Sequence, residues 1–322
     1  MPLLTLVVPC YNEEERLPEG QYISWLTSAA RAAGVHLLFV DDGSRDATVK
    51  VLQRICGSAP AGTASLLALG TNQGKAEAVR RGLVQAIGDG AGGSAASSTL
   101  VGFWDADLAT PLEAVPQLAA VLHADAQLQM VFAARVALLG RKIHRSPVRH
   151  YLGRVFATLA SLTLDLAIYD TQCGAKLFRV SPMLRTVVAT PFLTRWVFDC
   201  EMIGRYAALI AASRAPPSAR RPTARGDDLA AGASAASLPL EELIYEYPLE
   251  AWVDVAGSKV KPWDILRMAL GLLRIRLVYF LHTWPGGRRK PELFAVGAAM
   301  IVLAMLGVSA LVALTYTLLR LR

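Results

Sequence analysis

The stretch LVGFWDADLATP, residues 100–111, decides how the chain is read. Leu100, Val101, Phe103 and Trp104 make a short run of strand-favouring apolar side chains. It stops at two carboxylates one residue apart, Asp105 and Asp107, and no lysine or arginine lies between Arg81 and Arg135 to compensate them. Capping of the next helix does not require them. T-P-L-E supplies Thr110 as N-cap, Pro111 at the first helical position and Glu113 three residues beyond the cap. Two close carboxylates repel, and one pKa rises unless a cation joins them. A hard divalent ion, Mg²⁺ or Mn²⁺, meets that need, with diphosphate oxygens completing its shell.

The same arrangement recurs outward from this stretch. Apolar runs at 3–9, 35–40, 64–69, 99–104 and 128–134 read as strands, and 19–33, 46–56, 75–88 and 111–123 carry helical periodicity between them. Near-continuous apolar strands alternating with helices predict an α/β fold, a mostly parallel sheet with helices on both faces. Ligands of such sheets bind outside the carboxyl ends of the strands. Those ends read PCYNEEE (9–15), DDGSRDAT (41–48), GTNQGKAEA (70–78) and DADLATP (105–111). In the second, Gly43 and Ser44 suit a turn, which leaves Asp41 and Asp42 for a base or a ribose hydroxyl. In the third, Asn72, Gly74 and Lys75 lead into a helix whose backbone N–H groups and lysine suit an anion. No G-x-G-x-x-G follows the first strand and no Walker A lysine occurs, which argues against a dinucleotide oxidoreductase and a P-loop NTPase. Further on, a helix is expected near 147–168, a strand over 171–180, a helix near 196–211 and a strand over 242–248. Residues 213–238, rich in Ala, Arg, Pro, Ser and Gly, read as a disordered surface insertion, and 88–98 as a smaller one.

Of the 322 residues 53% are hydrophobic, and the excess is local. Residues 293–319 run for 27 positions without a charge, roughly 40 Å as a helix, enough to cross a hydrocarbon core of about 30 Å with tilt. The N-terminus has a short apolar run without a basic leader and does not read as a signal peptide. The expectation is a single C-terminal anchor, with the catalytic part facing the cytosol. The net charge of +7 is uneven: Val255 to Arg322 carries +8 and the first 254 residues −1. The basicity therefore points to anionic lipid head groups rather than nucleic acid. Residues 265–284, apolar but interrupted by Arg267, Arg274 and Arg276, read as a helix in the head-group layer or one packed on the catalytic domain. The four cysteines lack metal-type spacing and read as reduced, buried thiols.

VVPCYNEEERLP, VDDGSRDAT, NQGKAEAVRRG and DADLATP, as an ordered set, resemble the successive motifs of family 2 glycosyltransferases. DTQCGAKLF (170–178), RWVFDCEM (195–202) and AGSKVKPWDILRM (256–268) narrow the resemblance to dolichyl-phosphate β-glucosyltransferases and related polyprenyl-phosphate glycosyltransferases. The resemblance implies a GT-A nucleotide-sugar fold over residues 1–254, an acceptor-side and juxtamembrane segment over 255–290, and an anchor over 291–322. It places Pro9, Tyr11, Asn12 and Glu13 in the nucleotide pocket, with Asp41 and Asp42 on the base or ribose side. Asn72, Lys75 and Ala106 lie near the nucleotide, and Asp105 and Asp107 hold the metal. Related mannosyltransferases carry a glutamine two residues past the second aspartate; here Ala109 stands there, which favours the glucosyltransferase branch.

The expected reaction is inverting transfer of one hexose, glucose from UDP-glucose, to a dolichyl or polyprenyl phosphate. GDP-mannose is the alternative donor, and a catalytically silent anchored scaffold the alternative role. A lipid phosphate has a second pKa of about 6 and is ionised near neutrality, so it needs positioning more than a strong base. Arg135, Arg141, Arg145, Arg149, Ser258 and Lys259 are the candidates to hold it, and Asp170 and Asp199 are acidic candidates beside it. Phe192 stands where the Q-x-x-R-W signature of processive synthases has glutamine, which disfavours a processive enzyme.

Overall fold

A computed structural model describes residues 3–88, 98–144, 147–214, 238–255 and 262–280; within two helices the side chains of 147–149 and 262–266 are left aside. The run at 293–319, Arg145, Ser258, Lys259 and nearly all of the 213–238 insertion lie outside the described residues. Among the described residues no helix is long and apolar enough to cross a membrane.

Each apolar run is a strand: β1 (Leu4–Cys10), β2 (Val35–Asp41), β3 (Ala64–Ala68), β4 (Leu100–Trp104) and β5 (Met130–Ala134). Strands β7 (Ala175–Arg179) and β8 (Ile244–Pro248) complete one seven-stranded sheet in the order β3-β2-β1-β4-β7-β5-β8. Pairing is parallel except for β7, which runs antiparallel between β4 and β5. The short β6 (Lys142–His144) pairs in parallel with β9 (Ala251–Val253) in a separate ribbon.

Helices α1 (Glu19–Trp25, continuing as a π-helical turn over Leu26–Ala30), α2 (Thr48–Ser58), α3 (Lys75–Ile87), α4 (Val115–Ala124), α5 (Pro147–Leu164), α6 (Pro182–Val188), α7 (Phe198–Arg214) and α8 (Pro262–Ile275) accompany the sheet. Alternation along the strands divides the core. Val7, Val40, Val101 and Phe103 face one apolar layer; Leu6, Val8, Phe39 and Trp104 face the other. Burial on both faces is what the unbroken apolar runs require of a sheet covered on both sides.

The expected cap of the next helix is replaced. Thr110 is buried, its hydroxyl lies 3.9 Å from the Cys173 sulfur, and its carbonyl accepts a hydrogen bond from Trp104 Nε1 at 2.8 Å. A 3₁₀ turn over Leu112–Ala114 comes first, and α4 starts at Val115 with Pro116 in its first turn. The threonine locks the loop rather than opening the helix.

Candidate active site

Because β1, β2, β3 and β4 are parallel, their polar ends collect along one edge of the sheet. Antiparallel β7 enters at that edge, so the loop preceding it, 170–174, joins them; Ala175 lies opposite Trp104. A cavity of about 890 Å³ occupies this edge, a size that suits a substrate-sized ligand. From β1 and the loop after it come Pro9, Tyr11 and Glu13. Asp42, Asn72 and Lys75 follow β2 and β3, and Asp105, Ala106 and Asp107 follow β4. Arg135, at the end of β5, completes the predicted set that lines it.

The two aspartates are not left to each other. Lys75 Nζ donates to Asp105 Oδ1 at 2.6 Å, and Arg16 Nη2 donates to Asp107 Oδ2 at 2.8 Å. Burial and the Asp105 charge still push the Asp107 carboxyl above its ordinary value, against the opposing pull of the Ala109 N–H, Arg16 and Lys75. Burial alone would lower the Lys75 ammonium, but the charges of Asp105 and Asp199 hold it above its ordinary value. The loop is fixed from behind: Tyr22 donates its hydroxyl to the Ala106 carbonyl at 3.0 Å, and Leu108 takes a left-handed backbone at φ +50°. Strain of that kind in a side-chain-bearing residue persists only where its surroundings enforce it.

Gly174 sets the position of Asp105. A Cβ at Gly174 would fall 1.8 Å from Asp105 Oδ2, and the Gly174 carbonyl accepts from the Asp105 N–H at 2.8 Å. Backbone therefore backs the carboxylate directly. No group of three or more His, Cys, Asp or Glu side chains able to hold a metal occurs among the described residues. Asp105 and Asp107 are the residues here that could hold a metal, and two carboxylates fit a divalent ion of the Mg²⁺ class, which binds through one or two carboxylates and takes its other oxygens from substrate phosphates.

Several predicted residues are held by hydrogen bonds within and between the strand-end loops. Asp41 accepts hydrogen bonds from the Gly43 and Ser44 N–H groups at 3.1 and 3.2 Å and shapes its own turn. Asn12, at φ +49°, accepts from the Arg45 N–H at 2.8 Å and joins the β1 and β2 loops. Asp42 accepts from the Gln73 and Gly74 N–H groups, each at 2.8 Å, and from Asn72 Nδ2 at 3.0 Å. The N–H groups expected to meet an anion before α3 are thus already taken by a carboxylate. Burial pushes that carboxyl up, while those N–H groups and Arg195 pull it down.

Asp170 holds Arg135 through two charged hydrogen bonds of 2.7 and 2.8 Å. Burial would raise its carboxyl, but the Arg135 charge keeps it below the ordinary range. Asp199 pairs at 2.7 Å with Lys176, a lysine only 1% exposed that lies between the Phe103 and Phe132 rings. Arg141 pairs with Glu250 at 3.2 Å and does not line the cavity. Arg16, Arg267, Arg274, Trp252 and Gly174 also line the cavity, and none of them is among the site residues expected from the sequence. Arg16 stands within the NEEERLP end of the first motif, the one signal that could have found it.

The family model described as Glycosyl transferase family 2 matches residues 5–185. Dolichyl-phosphate beta-glucosyltransferase of Homo sapiens is 29% identical over 292 residues, covering 87% of this chain and 77% of that protein. The protein of the same description from Dictyostelium discoideum is 27% identical with 87% and 76% covered. Among solved structures, glucosyl-3-phosphoglycerate synthase of Mycobacterium tuberculosis with Mn²⁺, UDP-glucose and phosphoglyceric acid superposes with a TM-score of 0.56 at 19% identity, covering 88% of this chain and 87% of that one. A mannosyltransferase of Pyrobaculum calidifontis with GDP-Man and Mn²⁺ gives 0.54 at 17% identity, covering 100% and 81%. At such identities these two speak for the fold, and it is the GT-A type. The family match extends over more than half of the chain and contains every strand-end motif that lines the cavity: the chain belongs to glycosyl transferase family 2 and is a glycosyltransferase.

Proposed function

We propose that the chain transfers one hexose, glucose from UDP-glucose, to the phosphate of a dolichyl or polyprenyl phosphate, with inversion at the anomeric carbon. The observation that carries this reading is a single cavity lined by both the Asp105–Asp107 pair and a set of arginines. Relatives that bear the dolichyl-phosphate glucosyltransferase description along 87% of the chain support it.

In this reading the diphosphate lies at the β4 end. Asp105 and Asp107 would hold Mg²⁺ or Mn²⁺ there, which when bound offsets the charge that builds on the departing diphosphate. Lys75 adds a fixed positive charge at the same place, and Pro9, Tyr11 and Glu13 bound the nucleotide. An acceptor phosphate oxygen forms the new bond to C1 as the bond from C1 to the diphosphate oxygen breaks, and the electron pair leaves with UDP. Already ionised, the acceptor gives up no proton. Asp170 and Asp199 accordingly serve as positioning residues for Arg135 and Lys176. Residues 291–322 would anchor the enzyme, with residues 1–254 on the cytosolic side of a bacterial inner membrane or the endoplasmic reticulum.

Membranes containing the full chain, incubated with polyprenyl phosphate and radiolabelled UDP-glucose, are expected to form a mild-acid-labile glycolipid. Preference for GDP-mannose would overturn the donor assignment. No product from any nucleotide sugar would favour the scaffold.

A further inference from the structure

One part of the cavity wall is not explained by donor chemistry. Arg195, from the loop before α7, and Arg267, Leu270, Gly271 and Arg274, from α8, all line it. Positions 267, 270, 271 and 274 follow the helical repeat, so α8 turns one face to the cavity. Gly271 sits at the crossing: a Cβ there would fall 2.6 Å from Val197 Cγ2, so only glycine lets α8 lie this close to the 193–197 loop. One turn to either side of that contact stand the two arginines.

The loop itself is held firmly. Glu201, fully buried, accepts hydrogen bonds from the Leu193 N–H at 2.8 Å and the Thr194 N–H at 3.2 Å. Arg205 Nη2 at 2.8 Å and the Tyr279 hydroxyl at 3.1 Å donate to the same carboxylate, which ties the loop to the segment following α8. Arg195 is carried at the end of this brace, its side chain 3.5 Å from the position a Cβ of Gly74 would take. It is therefore adjacent to Lys75 and the donor side.

Charge identifies what this edge receives. Arg16, Lys75 and Arg135 are each paired to a carboxylate. Among the described residues Arg195 and Arg274 make no ion pair; Arg274 donates only to the Leu193 carbonyl, at 3.3 Å. On the same helix face, between the two α8 arginines, Leu270 is 52% exposed. Guanidinium groups around an exposed aliphatic side chain match a phosphate monoester carried on a hydrocarbon chain, and match a small hydrophilic phosphate less well.

Building on the proposed reaction, we propose that this face of α8 with Arg195 is the acceptor subsite. Arg195, Arg267 and Arg274 take the phosphate, and Leu270 packs on the first carbons of the prenyl chain. The residues expected from the sequence for this role are Arg135, Arg141, Arg145, Arg149, Ser258 and Lys259.

The test measures binding and transfer separately. Full-length protein in detergent is saturated with UDP and Mn²⁺, then titrated with farnesyl phosphate or inorganic phosphate, reading the fluorescence of cavity-lining Trp196 and Trp252. Wild type is expected to bind farnesyl phosphate more tightly. R195A, R267A and R274A are each expected to weaken it roughly ten- to hundredfold, as loss of a charged hydrogen bond does, with UDP affinity kept within about twofold of wild type. L270A is expected to cost roughly tenfold for farnesyl phosphate and to leave inorganic phosphate unchanged. No binding by wild type, unchanged affinity in the arginine variants, or an equal loss of UDP affinity would each overturn the assignment. If R274A fails to fold, the exposed Arg195 and Arg267 carry the same test. A protein that binds farnesyl phosphate through these residues yet passes no sugar to it sustains the subsite and refutes the proposed reaction.

Discussion

Gly174→Ala offers the sharpest test of the site, because it adds one methyl group and removes nothing. The Cβ would lie 1.8 Å from Asp105 Oδ2, whereas ordinary contact begins at 3.4 Å. Asp105 must therefore retreat by about 1.6 Å, a distance across which close-range attraction turns to hard repulsion. That shift breaks the 2.6 Å pair with Lys75. Gly174 does not have the positive φ that alanine resists, so the backbone itself accepts the change. Overpacking of this kind costs about 1–3 kcal/mol, a fall in Tm of several degrees. Displacement of a reacting group by about 1 Å costs on the order of a hundredfold in rate. The expected result is a folded protein with transfer reduced roughly a hundredfold or more in kcat/KM. In the G174A/D105N double variant the alanine should add almost nothing, because both changes act through one carboxylate. Wild-type turnover in G174A, or full additivity in the double variant, would refute the idea that backbone at Gly174 sets the aspartate.

Chelation of divalent cations is expected to stop transfer, with Mg²⁺ or Mn²⁺ restoring it in the wild type but not in D107N; undiminished transfer in excess chelator would remove the metal from the reaction. D107N should also melt above the wild type at neutral pH. A carboxyl whose folded pKa is raised favours folding in its protonated form, so its cost appears as pH climbs from the ordinary 3.8 through the raised value. The Tm difference should accordingly shrink as pH falls toward 3.8, and a difference constant with pH would contradict the burial argument. Glu201→Ala leaves the buried Arg205 guanidinium without its carboxylate and is expected to cost about 3–5 kcal/mol in urea unfolding. A loss below about 1 kcal/mol would mean that the backbone carbonyls bonded to Arg205 suffice.

Legibility of the site followed locality. Residues fixed by their own strand end, such as Glu13, Lys75 and Asp107, were readable because a parallel sheet sends successive strand ends to one edge. Asp41, Asn12 and Asp170 carry the right chemistry in the right motifs, yet their carboxylate and amide oxygens are taken up by neighbouring N–H groups and a guanidinium. A motif gives the side chain but not its hydrogen-bond partners. The α8 arginines were visible only as interruptions of an apolar run, because which face of a helix meets a cavity depends on where the helix packs.

By itself the sequence determined the alternation of strands and helices, the burial of the sheet on both faces and the collection of polar ends along one edge. These follow from side-chain periodicity, which is local. Tertiary structure alone decided what neutralises the two aspartates that end β4. Arg16 is 91 positions from Asp107 and Lys75 is 30 from Asp105; the first pair meets because β1 neighbours β4 in the sheet, the second because α3, which Lys75 opens, packs across β1 and β4. Sheet order sets which loops become neighbours, and no local pattern encodes that order.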